Sequence, residues 1–129
     1  MNYFLGLFYL LHGLVHLLYL GHSLRFFELE KGFIWPDHAI LIPKKISLQR
    51  KQQIAAILCF MATLGFAVSG ICLMSGFFFH NLDVIFSTGI SSLLFIVFWD
   101  GRRSKIHTQG GIALIINLLI LVLTLNKAL

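Results

Sequence analysis

Charge is what this chain has least of. Only 12% of its 129 residues are Asp, Glu, Lys or Arg, while 58% are hydrophobic. A soluble domain carries about 25% charged and roughly 45–50% apolar residues, and a fold this small buries only a limited share of its chain. A water-soluble architecture is therefore excluded, and the mean hydropathy of +0.89 points to a bilayer as the solvent. Acid is scarcer than base: five Asp and Glu stand against ten Lys and Arg, and no carboxylate falls in the middle of an apolar block. The two cysteines, Cys59 and Cys72, lie in one apolar segment, too far apart along a helix to bond each other. That excludes a disulfide framework and a zinc-type spacing. The two prolines, Pro36 and Pro43, both fall in the longest connection and argue against one continuous helix there. A nucleophile elbow, a phosphate loop, a Rossmann glycine fingerprint and paired carboxylates are all missing, which weakens the case for a hydrolase or a nucleotide-dependent enzyme. The N-terminus has neither a basic stretch before its apolar run nor a small-residue cleavage site, so the first helix is expected to be retained.

What the chain does have is four apolar blocks, at Tyr3–Leu20, Ile54–Phe79, Leu82–Trp99 and Gly110–Leu125. Each approaches the ~20 residues that a helix needs to cross ~30 Å of hydrocarbon. In lipid, every backbone polar group needs an internal partner, and the alternation of a barrel strand is missing, so the blocks should be helices. The expectation is a single all-α domain over 1–129. It is an integral membrane four-helix bundle with antiparallel neighbours, helices at about 3–22, 52–79, 82–99 and 109–126, and a long loop at about 23–51. Ser47 is a candidate N-cap for the second helix.

Base is unevenly placed. The first connection holds Arg25, Lys31, Lys44, Lys45, Arg50 and Lys51, and the third holds Arg102, Arg103 and Lys105. The second, around His80–Asp83, holds no Lys or Arg, and the tail holds only Lys127. The positive-inside rule puts loops one and three in the cytoplasm and both termini outside, most simply in a bacterial inner membrane. Charge confined to short loops suits anionic lipid headgroups, with Lys44, Lys45, Arg102 and Arg103 as candidate contacts, and gives no footprint for nucleic acid. Trp35 and Trp99 are expected at the cytoplasmic interface. The apolar clusters Phe33–Pro36 and Leu41–Pro43 suggest a loop lying on the membrane surface, with Trp35, Pro36, Asp37 and His38 exposed there. In Trp99-Asp100-Gly101-Arg102-Arg103, Asp100 is expected to pair with a neighbouring Arg or with a base of the first loop.

The first helix is the most informative stretch. At 100° per residue, Phe4, Leu7, Phe8, Leu10, Leu11, Leu14, Val15, Leu17 and Leu18 form one apolar arc. Tyr9, His12, Gly13, His16 and Tyr19 form the other, with Gly6 at its edge, and this arc should face the bundle because polar groups are costly against hydrocarbon. His12 and His16 stack one turn apart. Ala62, Gly65, Ser69, Cys72 and Gly76 make a small-residue ridge on the second helix. Ser87, Thr88, Ser91 and Ser92 on the third helix and Asn117 on the fourth can meet the histidines. The candidate ligand-binding set is His12, His16, Asn117, Tyr9 and Ser91. Such a core either glues helices together or forms a site that holds a quinone carbonyl, relays protons or binds metal. Metal is disfavoured, since His12-Gly13-Leu14-Val15-His16 lacks the Glu of the zinc-protease signature, and Met61 and Met74 read more simply as packing. Two His on one helix cannot be opposite axial ligands of a haem. His22, His38, His80 and His107 are expected to be solvated.

The run Leu10-Leu11-His12-Gly13-Leu14-Val15-His16-Leu17-Leu18 resembles the first helix of small four-helix bacterial membrane proteins of the DoxX-like type. Asp100-Gly101, Gly110-Gly111 and Asn117-Leu118-Leu119 are similar to their last turn and helix. The resemblance implies a four-helix bundle and, as in a few such proteins, an association with quinone-linked redox systems. The expected function is an accessory or binding protein rather than a stand-alone enzyme. It would take a small apolar or quinone-like molecule between the first helix and the third and fourth, with His12 and His16 as its polar contacts. A quinone-linked redox subunit, a small oligomeric transporter or channel, and a scaffold for a membrane-protein partner or a homo-oligomer stay open.

Overall fold

The chain is seen here as a computed structural model that describes residues 2–76 and 80–128. Those residues form four helices and no strand: α1 Tyr3–Ser23, α2 Leu48–Ser75, α3 His80–Val97 and α4 Ile112–Ala128. Three stretches are long and apolar enough to cross a membrane: Tyr3–Ser23, Leu48–Ser75, and His107–Asn126, which runs through a preceding turn into α4. The apolar part of α3, Asn81–Val97, is shorter.

Local chemistry sets most of the ends. Asn2 accepts the Leu5 N–H at 3.1 Å and so starts α1. Ser47 accepts the Arg50 N–H at 3.4 Å, starting α2 before its apolar run begins at Ile54. Gly76 stops α2 in the left-handed region at φ 78°, where glycine pays no Cβ penalty. The expected continuation to Phe79 lies outside the described residues. α4 is entered through a kink: His107–Gly111 forms a wide turn in which Gly110 has φ 93°, and a Cβ there would run into the Phe95 ring.

Neighbours in sequence pack together, α1 on α2, α2 on α3 and α3 on α4. The expected ridge on α2 does only part of this. Gly65 lets α2 meet Ser87 of α3. The close approach to α1 is made by Gly70, outside that ridge: a Cβ on it would lie 2.7 Å from the Gly6 carbonyl oxygen. Further along the same seam Thr63 Oγ1 donates to the Gly13 carbonyl at 3.1 Å. The outward surface stays apolar, with Phe4, Ile57, Phe86 and Ile115 all exposed. Such a continuous apolar face suits lipid rather than water.

The first connection differs from expectation. Rather than lying flat, it turns Phe33 and Trp35 inward, and Trp35 is 1% exposed. Trp35 packs on Tyr19, Phe95 and Phe98 at ring-centre distances of 5.2, 6.1 and 6.0 Å. It is therefore a core residue packed against three rings, and its indole N–H has no hydrogen-bond partner among the described residues. Pro36 is buried with it and Asp37 is ion-paired to Arg25, so only His38 of that tetrapeptide is exposed. His22 is likewise fully buried, stacked on Phe33 at 4.7 Å, and not solvated. The Ile40 N–H donates to the Trp99 carbonyl at 3.0 Å and ties this loop to the end of α3.

Candidate functional site

The inward arc of α1 carries Gly6, Tyr9, His12, Gly13 and His16, all buried. Phe66 of α2 closes over both imidazoles, at 4.7 Å from His12 and 5.6 Å from His16. The two rings stand perpendicular at 5.0 Å. Across from them Asn117 of α4 and Ser91 of α3 are equally buried.

The proton positions follow from the partners. His16 Nδ1 lies 2.9 Å from the His12 carbonyl, an atom that only accepts, so Nδ1 carries the hydrogen. In the neutral ring Nε2 is then an acceptor, and the Ser91 hydroxyl donates to it at 2.6 Å. The Ser91 oxygen accepts from Asn117 Nδ2 at 2.7 Å. The second amide hydrogen goes to Ser92 at 3.1 Å. Asn117 Oδ1 then faces His12 Nε2 at 2.8 Å and accepts from it. Each bond points the same way around a ring, through α1, α4 and α3 and back to α1. With both imidazoles neutral every bond of the ring has one donor and one acceptor, as a buried polar cluster needs.

Not every expected residue belongs to this ring. His12, His16, Asn117 and Ser91 do, and Ser92 joins them. Tyr9 lies one turn away against Phe66, with its hydroxyl on Thr124 of α4. Ser87 and Thr88 donate back to their own helix, to the Asp83 and Val84 carbonyls, both at 2.6 Å. Lys44 and Lys45 are exposed in the turn before α2, and Arg102 and Arg103 are exposed between α3 and α4. Asp100 pairs with Arg102, Nε lying 3.8 Å from the carboxylate. The same turn is fixed by the Asp100 N–H donating to Gln109 Oε1 at 3.0 Å.

One side of the ring opens to a cavity of about 200 Å³ between α1 and α4. His12 lines it from the ring and His107 from the turn before α4, beside Val15, Tyr19, Ala113 and Ile116. The Tyr19 hydroxyl donates to the Thr108 carbonyl at 2.5 Å and holds the cavity's end. Sequence reasoning placed Val15 on the lipid arc and did not single out the α4 wall. Ala113 and Ile116 share a face of α4 at a spacing of three, while Gly110 reaches the cavity through the kink that precedes the helix, which no periodicity shows. Among the described residues no three His, Cys, Asp or Glu side chains converge as a metal site. No protein-family model, curated protein or solved structure matches the chain.

Proposed function

We propose that this chain is a four-span protein of a bacterial cell membrane that binds a small lipid-soluble molecule between α1 and α4, at His12. Neighbouring spans are antiparallel, the basic first and third connections face the cytoplasm, and both termini face outward. That orientation is supported by the concentration of Lys and Arg in two alternate connections. Lys44, Lys45, Arg102 and Arg103 then meet anionic headgroups.

The observation that carries the binding reading is the cavity, because it exposes one member of an otherwise sealed polar ring to a space walled mostly by apolar side chains, with Tyr19 and His107 also in its lining. The walls select an apolar body. A volume of about 200 Å³ falls below the roughly 300–1,000 Å³ of a drug-sized pocket, so it suits a single ring or head whose tail runs into lipid. Nε2–H of His12 is committed to Asn117, which leaves Nδ1 as an acceptor. A ligand bonding His12 must therefore donate, which favours a phenol- or quinol-type hydroxyl over a quinone carbonyl. The DoxX-like resemblance and its link to quinone-based redox systems point the same way.

The test uses protein purified from its membrane in a mild non-ionic detergent, with extracted lipids and quinones analysed by mass spectrometry. His12→Ala removes the acceptor, and Ala113→Leu fills the cavity without touching the ring. A stoichiometric species lost from both folded variants supports the site. An empty parent, or a species retained by both variants, leaves the histidines as helix-packing residues.

A further inference from the structure

A second cavity lies on the opposite seam, between α2 and α3. It is about 260 Å³ and is lined by Met61, Leu64, Val68 and Phe86, with Asp83 and Ser87 as its only polar side chains. Met61, Leu64, Val68 and Phe86 are exposed on the lipid-facing surface, and Gly65 at the floor lets Ser87 press against α2. Asp83 stands in the first turn of α3, half-buried at the groove beside these apolar side chains, where a carboxylate favours a cation that offsets its charge. Among the described residues the ion pairs are Arg25–Asp37 and Asp100–Arg102, at the other end of the bundle, and Asp83 has no cationic partner.

We infer that this groove binds a lipophilic ammonium ion, its nitrogen on Asp83 and its alkyl or aromatic body along Met61, Leu64, Val68 and Phe86. Charge complementarity chooses the cation. The hydrogen-bond inventory chooses one with N–H groups. The Ser87 hydroxyl already donates to the Asp83 carbonyl at 2.6 Å, so its oxygen faces a ligand only as an acceptor, and the carboxylate accepts as well. A quaternary ammonium offers no hydrogen to either, an alcohol offers no charge, and a fatty acid brings charge of the wrong sign. The inference rests on α2 and α3 spanning the bilayer and is independent of any ligand at His12.

The full chain in nanodiscs of zwitterionic lipid is titrated with decylammonium, decyltrimethylammonium and decanol, with empty nanodiscs subtracted. Saturable binding of one decylammonium per chain is expected, with the quaternary cation weaker and decanol unable to compete. Asp83→Asn keeps the side-chain shape and loses one charge-assisted bond, so binding should fall roughly ten- to a hundredfold. Phe86→Ala, on the lipid-exposed surface, should weaken binding while the melting temperature holds. Unchanged binding in Asp83→Asn overturns the inference, and equal binding of the quaternary cation overturns the assignment of an N–H donor. A Phe86→Cys variant that cross-links spontaneously to a second copy and binds no amine also overturns it, making the groove a dimer seam.

Discussion

Replacing Asn117 by Leu is the most direct probe of the polar ring. The side chain keeps its branching at Cγ and loses three bonds, to His12, Ser91 and Ser92. All three cross between helices. Interhelical hydrogen bonds of this kind average about 0.6 kcal/mol in a membrane protein and reach about 1.7. The bonds alone therefore predict a loss of about 2 kcal/mol. The stranded His12 N–H adds roughly 1 kcal/mol or more if it stays unpaired, and less if it turns toward the α1–α4 cavity. Ser92→Ala serves as the small reference, since it removes only the 3.1 Å contact and should cost about 0.6 kcal/mol. The assay is reversible unfolding in mixed micelles, followed by far-UV circular dichroism, on the parent, both single variants, His12→Ala and the His12→Ala/Asn117→Leu pair. The double-mutant cycle isolates the 2.8 Å bond from the rest. If Asn117→Leu matches or exceeds the parent in stability, the ring does not hold these helices together.

Trp35→Ala should cost roughly 3–5 kcal/mol in the same assay, as buried aromatic truncations do; a loss under about 1 kcal/mol would mean that the first connection is not part of the core. Gly70→Leu forces a Cβ to within 2.7 Å of the Gly6 carbonyl and should destabilise the α1–α2 seam by about 1–3 kcal/mol. Gly89→Ala, where nothing lies within 4 Å of the added Cβ, should leave stability unchanged or slightly raised. For orientation, cysteines placed at Lys45 and Asn126, in a chain carrying Cys59→Ala and Cys72→Ala, should react with a membrane-impermeant maleimide from opposite sides. Labelling of both from one side would refute the assigned topology.

The first helix was readable because a 3.6-residue period converts directly into faces: the arc holding His12 and His16 is the buried one, and Phe4, Leu7 and Leu11 on the other are exposed. Ser47 was readable because a cap is a local event, settled within one turn. Trp35 and His22 were misplaced for the opposite reason. The burial of His22 depends on Phe33, 11 residues on, and that of Trp35 on Phe95, 60 residues on, which no local pattern encodes, while the preference of indole for interfaces pulled the reading outward. Asn117 was picked out as the lone strongly polar residue near the middle of the fourth helix, and Ser91 as one of four hydroxyls on the third. The direction of each bond between them needed the geometry, because the His12 carbonyl, a backbone atom, decides the tautomer of His16. The α1–α4 cavity was hidden because a void is a property of two faces and the gap between them.

The ring also bears on charge movement. An amide neither takes up nor gives away a proton at ordinary acidity, and Asn117 stands between the two imidazoles on the side-chain path. The return path runs through the His12 peptide carbonyl, which is no better a carrier. A proton arriving at His12 from the cavity therefore stops there. The two histidines, which as a pair suggest a wire, are joined instead by an insulator, and any redox chemistry at this face must exchange its protons on the side of the lipid and the cavity rather than through the middle of the bundle.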